Sequence, residues 1–220
     1  MNANKLGMRI TGGLGIISLI ASIVFTQKEC AWWINFSFSI FGSSIISFAV
    51  CWINYLCISK NLMRDILNSV YIINQKGYTQ LYSKNGDLSL EEIQKVLGTV
   101  ICETNNAYNL TLELENGLIL FSRRKEEFEC LELMLMNNLE KFQAVCFFIE
   151  YKKDDAEKSI QKIYQYLDGK ISETKTYTYA LGIAKKYFKN ICSPEEKDNI
   201  NELKREAAER FKEEMENEKK

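Results

Sequence analysis

The chain has 220 residues, a formal net charge of -1 and no histidine. Without imidazole it lacks the commonest general base, the usual partner of serine and cysteine nucleophiles, and most zinc and haem ligand sets. A non-catalytic protein with no metal and no cofactor is the expectation. The charge is unevenly spread. It is +2 before residue 60 and -3 from there on, and such a mildly acidic C-terminal part argues against an extended nucleic-acid-binding face.

Seven cysteines, at positions 30, 51, 57, 102, 130, 146 and 192, show no CxxC pairing. Most stand in apolar contexts and are expected to be buried, reduced thiols rather than a disulfide framework.

Residues 10–27 and 30–59 contain no charged side chain, and only Lys28 and Glu29 separate the two runs. Apolar runs of this length predict a transmembrane hairpin over residues 1–58. A second long run follows the first at once, and no small-x-small site closes it, so a cleaved signal peptide is not expected. Trp32 and Trp33 at one end of the second run, and Trp52 and Tyr55 at the other, suit the two membrane interfaces. Lys5 and Arg9 precede the first run, and Lys60 and Arg64 follow the second. The positive-inside rule then predicts a multi-pass protein of the inner or plasma membrane with both termini in the cytoplasm.

Small and hydroxyl residues cluster on one face of each run. Thr11, Gly15, Ser18, Ser22 and Thr26 share a face of the first, and Ser39, Ser43, Ser47 and Asn54 share a face of the second. Such faces let helices approach closely within a chain or between copies. In a homo-oligomer the same positions could line a pore. No ionisable group lies at the centre of either run, which argues against a proton relay or voltage sensor.

Leu62, Ile66, Val70 and Ile73 continue a helical stripe past the membrane, predicting a stalk over 59–76 with its helix ending near Asn74. Residues 77–170 then read as an α+β domain. A strand over 78–83 ends at Asn85-Gly86, and Ser89-x-x-Glu92 is a capping box that opens a helix. Tyr108, Leu110, Leu112 and Leu114 alternate with polar residues up to Asn116-Gly117, and residues 118–121 are again apolar. That pattern predicts a β-hairpin with a two-residue type I′ turn. A helix from about Arg124 carries Phe128, Leu131, Leu135, Leu139 and Phe142 on one face, and 144–151 is apolar on both faces, like a central strand. The order β-α-β-β-α-β is that of a ferredoxin-like sandwich. If 78–83 belongs to the stalk, a three-stranded α+β sheet remains.

Residues 171–220 read as C-terminal helices. Tyr177, Leu181, Ala184, Phe188 and Ile191 form one stripe, and Ser193-Pro194-Glu195-Glu196 has the signature of a helix start.

One cluster suggests a ligand. Ser122, Arg123, Arg124 and Lys125 sit where a helix begins, and free N–H groups with three cations could hold phosphate. The alternative is a solvated turn whose cations pair with Glu126, Glu127 and Glu129.

The order of parts, a hairpin over 10–58, a stalk and a small cytosolic domain ending in helices, resembles the two-transmembrane effectors of bacterial nucleotide-signalled anti-phage defence systems. The resemblance covers that order. It implies an antiviral signalling role in which a cyclic nucleotide binds the cytosolic domain and the hairpins perturb the membrane. It would assign the phosphate contacts to Arg123, Arg124 and Lys125. The alternative is a membrane scaffold that recruits a protein partner through its soluble part.

Overall fold

The computed structural model describes residues 2–27, 31–74, 88–117, 122–152, 155, 158, 160, 161, 163, 173–188 and 190–198. Its long elements are α1 (Asn2–Gln27), α2 (Ala31–Ile72), α3 (Leu90–Gly117), α4 (Ser122–Tyr151) and α5 (Glu173–Tyr187). The chain divides into two compact units. One comprises Met1–Leu62 with Leu112–Glu126, and the other Met63–Thr111 with Glu127–Lys220. They are called below the hairpin unit and the bundle unit.

In the hairpin unit, α1 and α2 are long and apolar enough to cross a membrane. Only 22% and 11% of their most apolar windows are buried, less than the mostly buried core helix of a soluble protein. The 42 residues of α2 rise about 63 Å, roughly twice a bilayer's hydrocarbon thickness. Its apolar run therefore accounts for part of the helix, and the stripe beyond residue 60 continues without a break, as its spacing predicts.

The ferredoxin-like α+β domain is not present. Among the described residues there is no strand at all, and the bundle unit is helical. The expected first strand at 78–83 and the second arm of the expected β-hairpin at 118–121 lie outside the described residues. Its first arm, 108–114, is the C-terminal part of α3, and the expected central strand at 144–151 ends α4.

The reason is a helical seam that outcompetes the local alternation. Ile93, Leu97, Val100, Thr104, Ala107, Thr111 and Leu114 are spaced four and three residues apart and are all fully buried. Tyr108, Leu110 and Leu112, three of the four apolar residues of the alternating set, are only partly buried. α4 follows the same rule with Phe128, Leu131, Leu135, Asn138, Phe142, Val145 and Ile149. Phe147 and Tyr151, which a central strand would bury, are 62% and 70% exposed. Spacing of this kind places side chains on the seam of packed helices.

These seams meet in the bundle unit. Ile73, Leu90, Ile93, Leu97, Phe142, Val145 and Ile149 belong to one cluster, which sets the start of α3 against the end of α4. Each large apolar side chain buried there contributes roughly 1.5–3 kcal/mol. α5 buries Tyr177, Ala180, Ile183 and Ala184 and is tied to α4 by Asn138 Nδ2, which donates to Thr176 Oγ1 at 3.3 Å. Ser69 Oγ donates to Glu103 Oε2 at 2.9 Å and accepts from Asn106 Nδ2 at 3.0 Å, which ties α2 to α3.

Both capping boxes form. Ser89 N donates to Glu92 Oε2 at 2.9 Å while Glu92 N donates to Ser89 Oγ at 3.3 Å. The pair at Ser193 and Glu196 repeats the pattern at 2.9 and 3.1 Å. The six described cysteines are free thiols, but Cys57, Cys102, Cys130 and Cys192 are exposed rather than buried.

Candidate functional sites

Three places bring chemistry-bearing residues together, and each is local to one unit. The first is the contact between α1 and α2. A Cβ on Gly7 would stand 2.9 Å from Cys51 Sγ, one on Gly12 3.8 Å from the Phe48 ring, and one on Gly15 3.6 Å from Ser44 Cβ. As the α1 number rises the α2 number falls, so the helices run antiparallel. Gly15, Ser18 and Ser22 are buried in this unit, as are Ser37 and Ser44. The small face of α1 is thus occupied within the chain. Its hydroxyls bond back along their own helix: Ser18 to Gly15 O at 3.0 Å, Ser22 to Ser18 O at 2.9 Å, Thr26 to Ser22 O at 2.7 Å. Smallness, more than hydrogen bonding across the contact, serves this packing. Ser39, Ser43, Ser47 and Asn54 behave differently, since all four are exposed on α2.

The second place is the basic start of α4. Ser122, Arg123 and Arg124 lie in its first turn, where the sequence places a helix start. Lys125 is exposed and stands 3.5 Å from Glu115, which links α4 to α3. Lys5 Nζ donates to the carbonyl of Asn116 at 3.4 Å, so the end of α3 adjoins the start of α1.

The third is a groove of about 570 Å³ lined by Glu127, Lys175, Thr178, Tyr179, Gly182, Ile183 and Lys186. α5 supplies all but Glu127. Lys186 forms an ion pair with Glu127, and its ammonium holds that carboxyl below the usual value. The Tyr179 hydroxyl donates to the Glu127 carbonyl at 3.4 Å. Burial first, then the adjacent Cys130, push its phenol up to about 12. A cavity of this size lies within the range of small-molecule sites, and its lining includes one aromatic ring and two lysines, one of them paired with Glu127.

Sequence reasoning passed over this groove because Glu127 and Lys186 are 59 residues apart. The spacing of Tyr179, Ile183 and Lys186 marks one helical face, and that was the available signal. In the same bundle unit, Tyr177 packs on Tyr71 with ring centroids 5.8 Å apart. Its hydroxyl is buried and makes no hydrogen bond of normal geometry. Burial, then the charge of Glu195, push it up to about 12, and the nearby Ser193 side chain only partly offsets this. Among the described residues no group of three or more metal-ligating side chains occurs.

No protein-family model matches the chain, and no curated protein or solved structure matches it either.

Proposed function

We propose that this chain is a membrane-anchored sensor and effector. In this reading α1 and the apolar part of α2 span the inner or plasma membrane with both termini in the cytoplasm. The helical bundle binds a ligand and thereby controls how hairpins assemble. One observation carries the reading. Nineteen of the twenty-three large hydrophobic side chains exposed among the described residues lie on α1 and on α2 up to Leu56. A soluble monomer does not present an apolar belt of that size to water.

Assembly is supported by the exposed polar face of α2. Serine hydroxyls can bond back to their own helix, as Ser39 does to Asn35 O at 3.0 Å, whereas an asparagine amide in lipid gains most from a second helix. A partner hairpin at Ser39, Ser43, Ser47 and Asn54 would provide it, and several hairpins together would enclose a polar path. Sensing is supported by the groove on α4 and α5. Lys175, Lys186 and the Tyr179 ring suit a small anionic, aromatic ligand, and a cyclic nucleotide, the class implied by the order of parts, is the first to test. Any such control requires the ligand to bind the two assembly states with unequal affinity.

The test uses the full-length chain expressed in bacteria. Retention of the protein in carbonate-washed membranes is expected, as is entry of a membrane-impermeant dye when a cyclic dinucleotide is supplied. A Lys175→Glu, Lys186→Glu variant should remain in the membrane and lose the dye response. A chain that washes off removes the membrane reading, and an integral chain that never admits dye removes the effector role. A second reading then gains, that of a scaffold recruiting a protein partner. It is favoured by the exposed Leu133, Met136, Phe147 and Tyr151 on α4, where the Phe147 and Tyr151 rings lie 4.3 Å apart.

A further inference from the structure

α4 carries two apolar faces. One is the buried seam of Phe128, Leu131, Leu135, Phe142, Val145 and Ile149. At 3.6 residues per turn, Leu133, Met136, Ala144, Phe147 and Tyr151 fall within about 80° of one another on the opposite side, and all five are exposed. Four of them, all but Ala144, are the only large hydrophobic side chains exposed among the described residues outside α1 and α2 up to Leu56. A lone exposed apolar residue is ordinary. Four aligned on one helix, with none on α3 or α5, form a stripe of the kind that marks an interaction surface.

The face also carries charge of one sign. Glu129 and Glu140 lie on the same arc and are exposed, and between residues 129 and 151 no lysine or arginine does. Glu140 stands at the middle of the stripe and has no ion pair among the described residues. Of the flanking charges, Glu132 and Glu150 on one side offset Lys141 and Lys152 on the other, so the face keeps two negative charges. From Leu133 to Tyr151 it runs about 27 Å, roughly five turns of helix.

We infer that this face of α4 docks a basic amphipathic helix of a second protein. That helix sets large apolar residues at three-and-four spacing on the stripe and a lysine or arginine against Glu140. The inference goes beyond the ligand-binding reading, uses residues of the bundle unit alone, and gives the scaffold reading the chemistry of its partner. Charge selects among the occupants. A second copy of the chain, paired about a twofold axis centred on the stripe, would set Glu140 against Glu140 whether the helices ran parallel or antiparallel. Like charges facing each other disfavour that pair. An anionic leaflet is disfavoured by the same two carboxylates. A cationic helix gives those carboxylates partners, and the stripe supplies the apolar anchors that such helices bury.

The test measures binding to the purified full-length chain in neutral detergent by fluorescence anisotropy. The probes are two labelled five-turn helical peptides with leucine at three-and-four spacing. The remaining positions are lysine and alanine in one, glutamate and alanine in the other. Binding is read against a Leu133→Ser, Phe147→Ser variant, which cancels uptake of peptide by the micelle. Both residues are exposed, so this variant should keep the wild-type unfolding midpoint. The lysine peptide should bind the wild type at least about tenfold tighter than the double variant, and the glutamate peptide should not bind. Glu140→Lys should weaken the lysine peptide about tenfold and admit the glutamate peptide. Equal binding of the two peptides, or a lysine peptide indifferent to Glu140→Lys, would overturn the inference. Self-association that is lost in the double variant would assign the face to a second copy. Binding seen in detergent but lost in phosphatidylcholine nanodiscs would assign it to lipid, and either outcome overturns the inference as well. Dye entry without peptide binding sinks this face and leaves the sensor reading standing, whereas peptide binding without dye entry does the reverse.

Discussion

The two units use helical packing in opposite ways. In the hairpin unit the buried positions of α1 and α2 are mostly small, Gly15, Ser18, Ser22, Ser37, Ser44 and Ser59 beside Met8 and Tyr55, and most large apolar side chains are exposed. In the bundle unit the buried positions are Phe128, Leu131, Leu135 and Phe142, and charged residues cover the outside. Water drives large apolar groups inward, because each removed from water contributes in proportion to its area. A hydrocarbon surrounding exerts no such drive, and helices there meet where their backbones can come close. On the membrane reading proposed above, the same three-and-four spacing selects opposite side-chain sizes according to what surrounds the helix.

The largest expected effect should separate the units directly. Phe128→Ala removes a fully buried ring, with an expected loss of about 3–5 kcal/mol of stability in chemical denaturation. Ile17→Ala, on a side chain 66% exposed on α1, should cost well under that in the same detergent. Equal losses would break the comparison. Next, Gly7→Leu should cost about 1–3 kcal/mol, because even a Cβ would stand 2.9 Å from Cys51 Sγ. Gly13→Leu, where a Cβ meets nothing within 4 Å, is the control and should leave the thermal midpoint nearly unchanged.

Smaller effects sharpen the picture of the bundle. Tyr177→Phe deletes a buried hydroxyl without a hydrogen bond and should raise stability by about 1 kcal/mol, a gain visible as a later denaturation midpoint. Ser89→Ala breaks the first capping box and should cost about 1 kcal/mol.

The smallest effects concern pH. Lys186 holds the Glu127 carboxyl below its ordinary 4.5, and the Ser193 backbone N–H does the same for Glu196. A depressed carboxyl adds stability above pH 4.5 that is lost as pH falls through the lower folded value. Acid titration should therefore loosen α5 and the segment after it, while α1, which has no carboxylate, keeps its helix signal. In base the sign reverses. Tyr177 and Tyr179 titrate near 12 in the fold against an ordinary 10, so stability should decline as pH rises above 10. Hydrogen exchange at low and high pH, resolved by segment, would follow both limbs.

Some of this was legible from residues alone, and the rest was not, for a definite physical reason. The two apolar runs, the unbroken passage of α2 beyond residue 60, both capping boxes and the helix at 173–187 follow from periods and caps that act within a few turns. The misread stretch, 108–114, satisfies both a period of two and a period near 3.6. Its helical reading requires Thr104, Ala107 and Thr111 to count as core, although two of them carry hydroxyls. Those hydroxyls are satisfied locally, Thr104 to Val100 O and Thr111 to Ala107 O, each at 2.7 Å, which lets the residues lie on a buried seam. Asn116-Gly117, read as a hairpin turn, closes a helix instead.

Sequence by itself determined where the apolar surface lies and where helices begin, because hydropathy runs and capping depend on neighbours in the chain. Only the tertiary structure decided that 108–114 and 144–151 are helical, and that Glu127 meets Lys186. It also brought Asn116, near the end of α3, to Lys5 of α1. Those outcomes depend on partners tens to more than a hundred residues away, whose seams make one period bury more surface than the other.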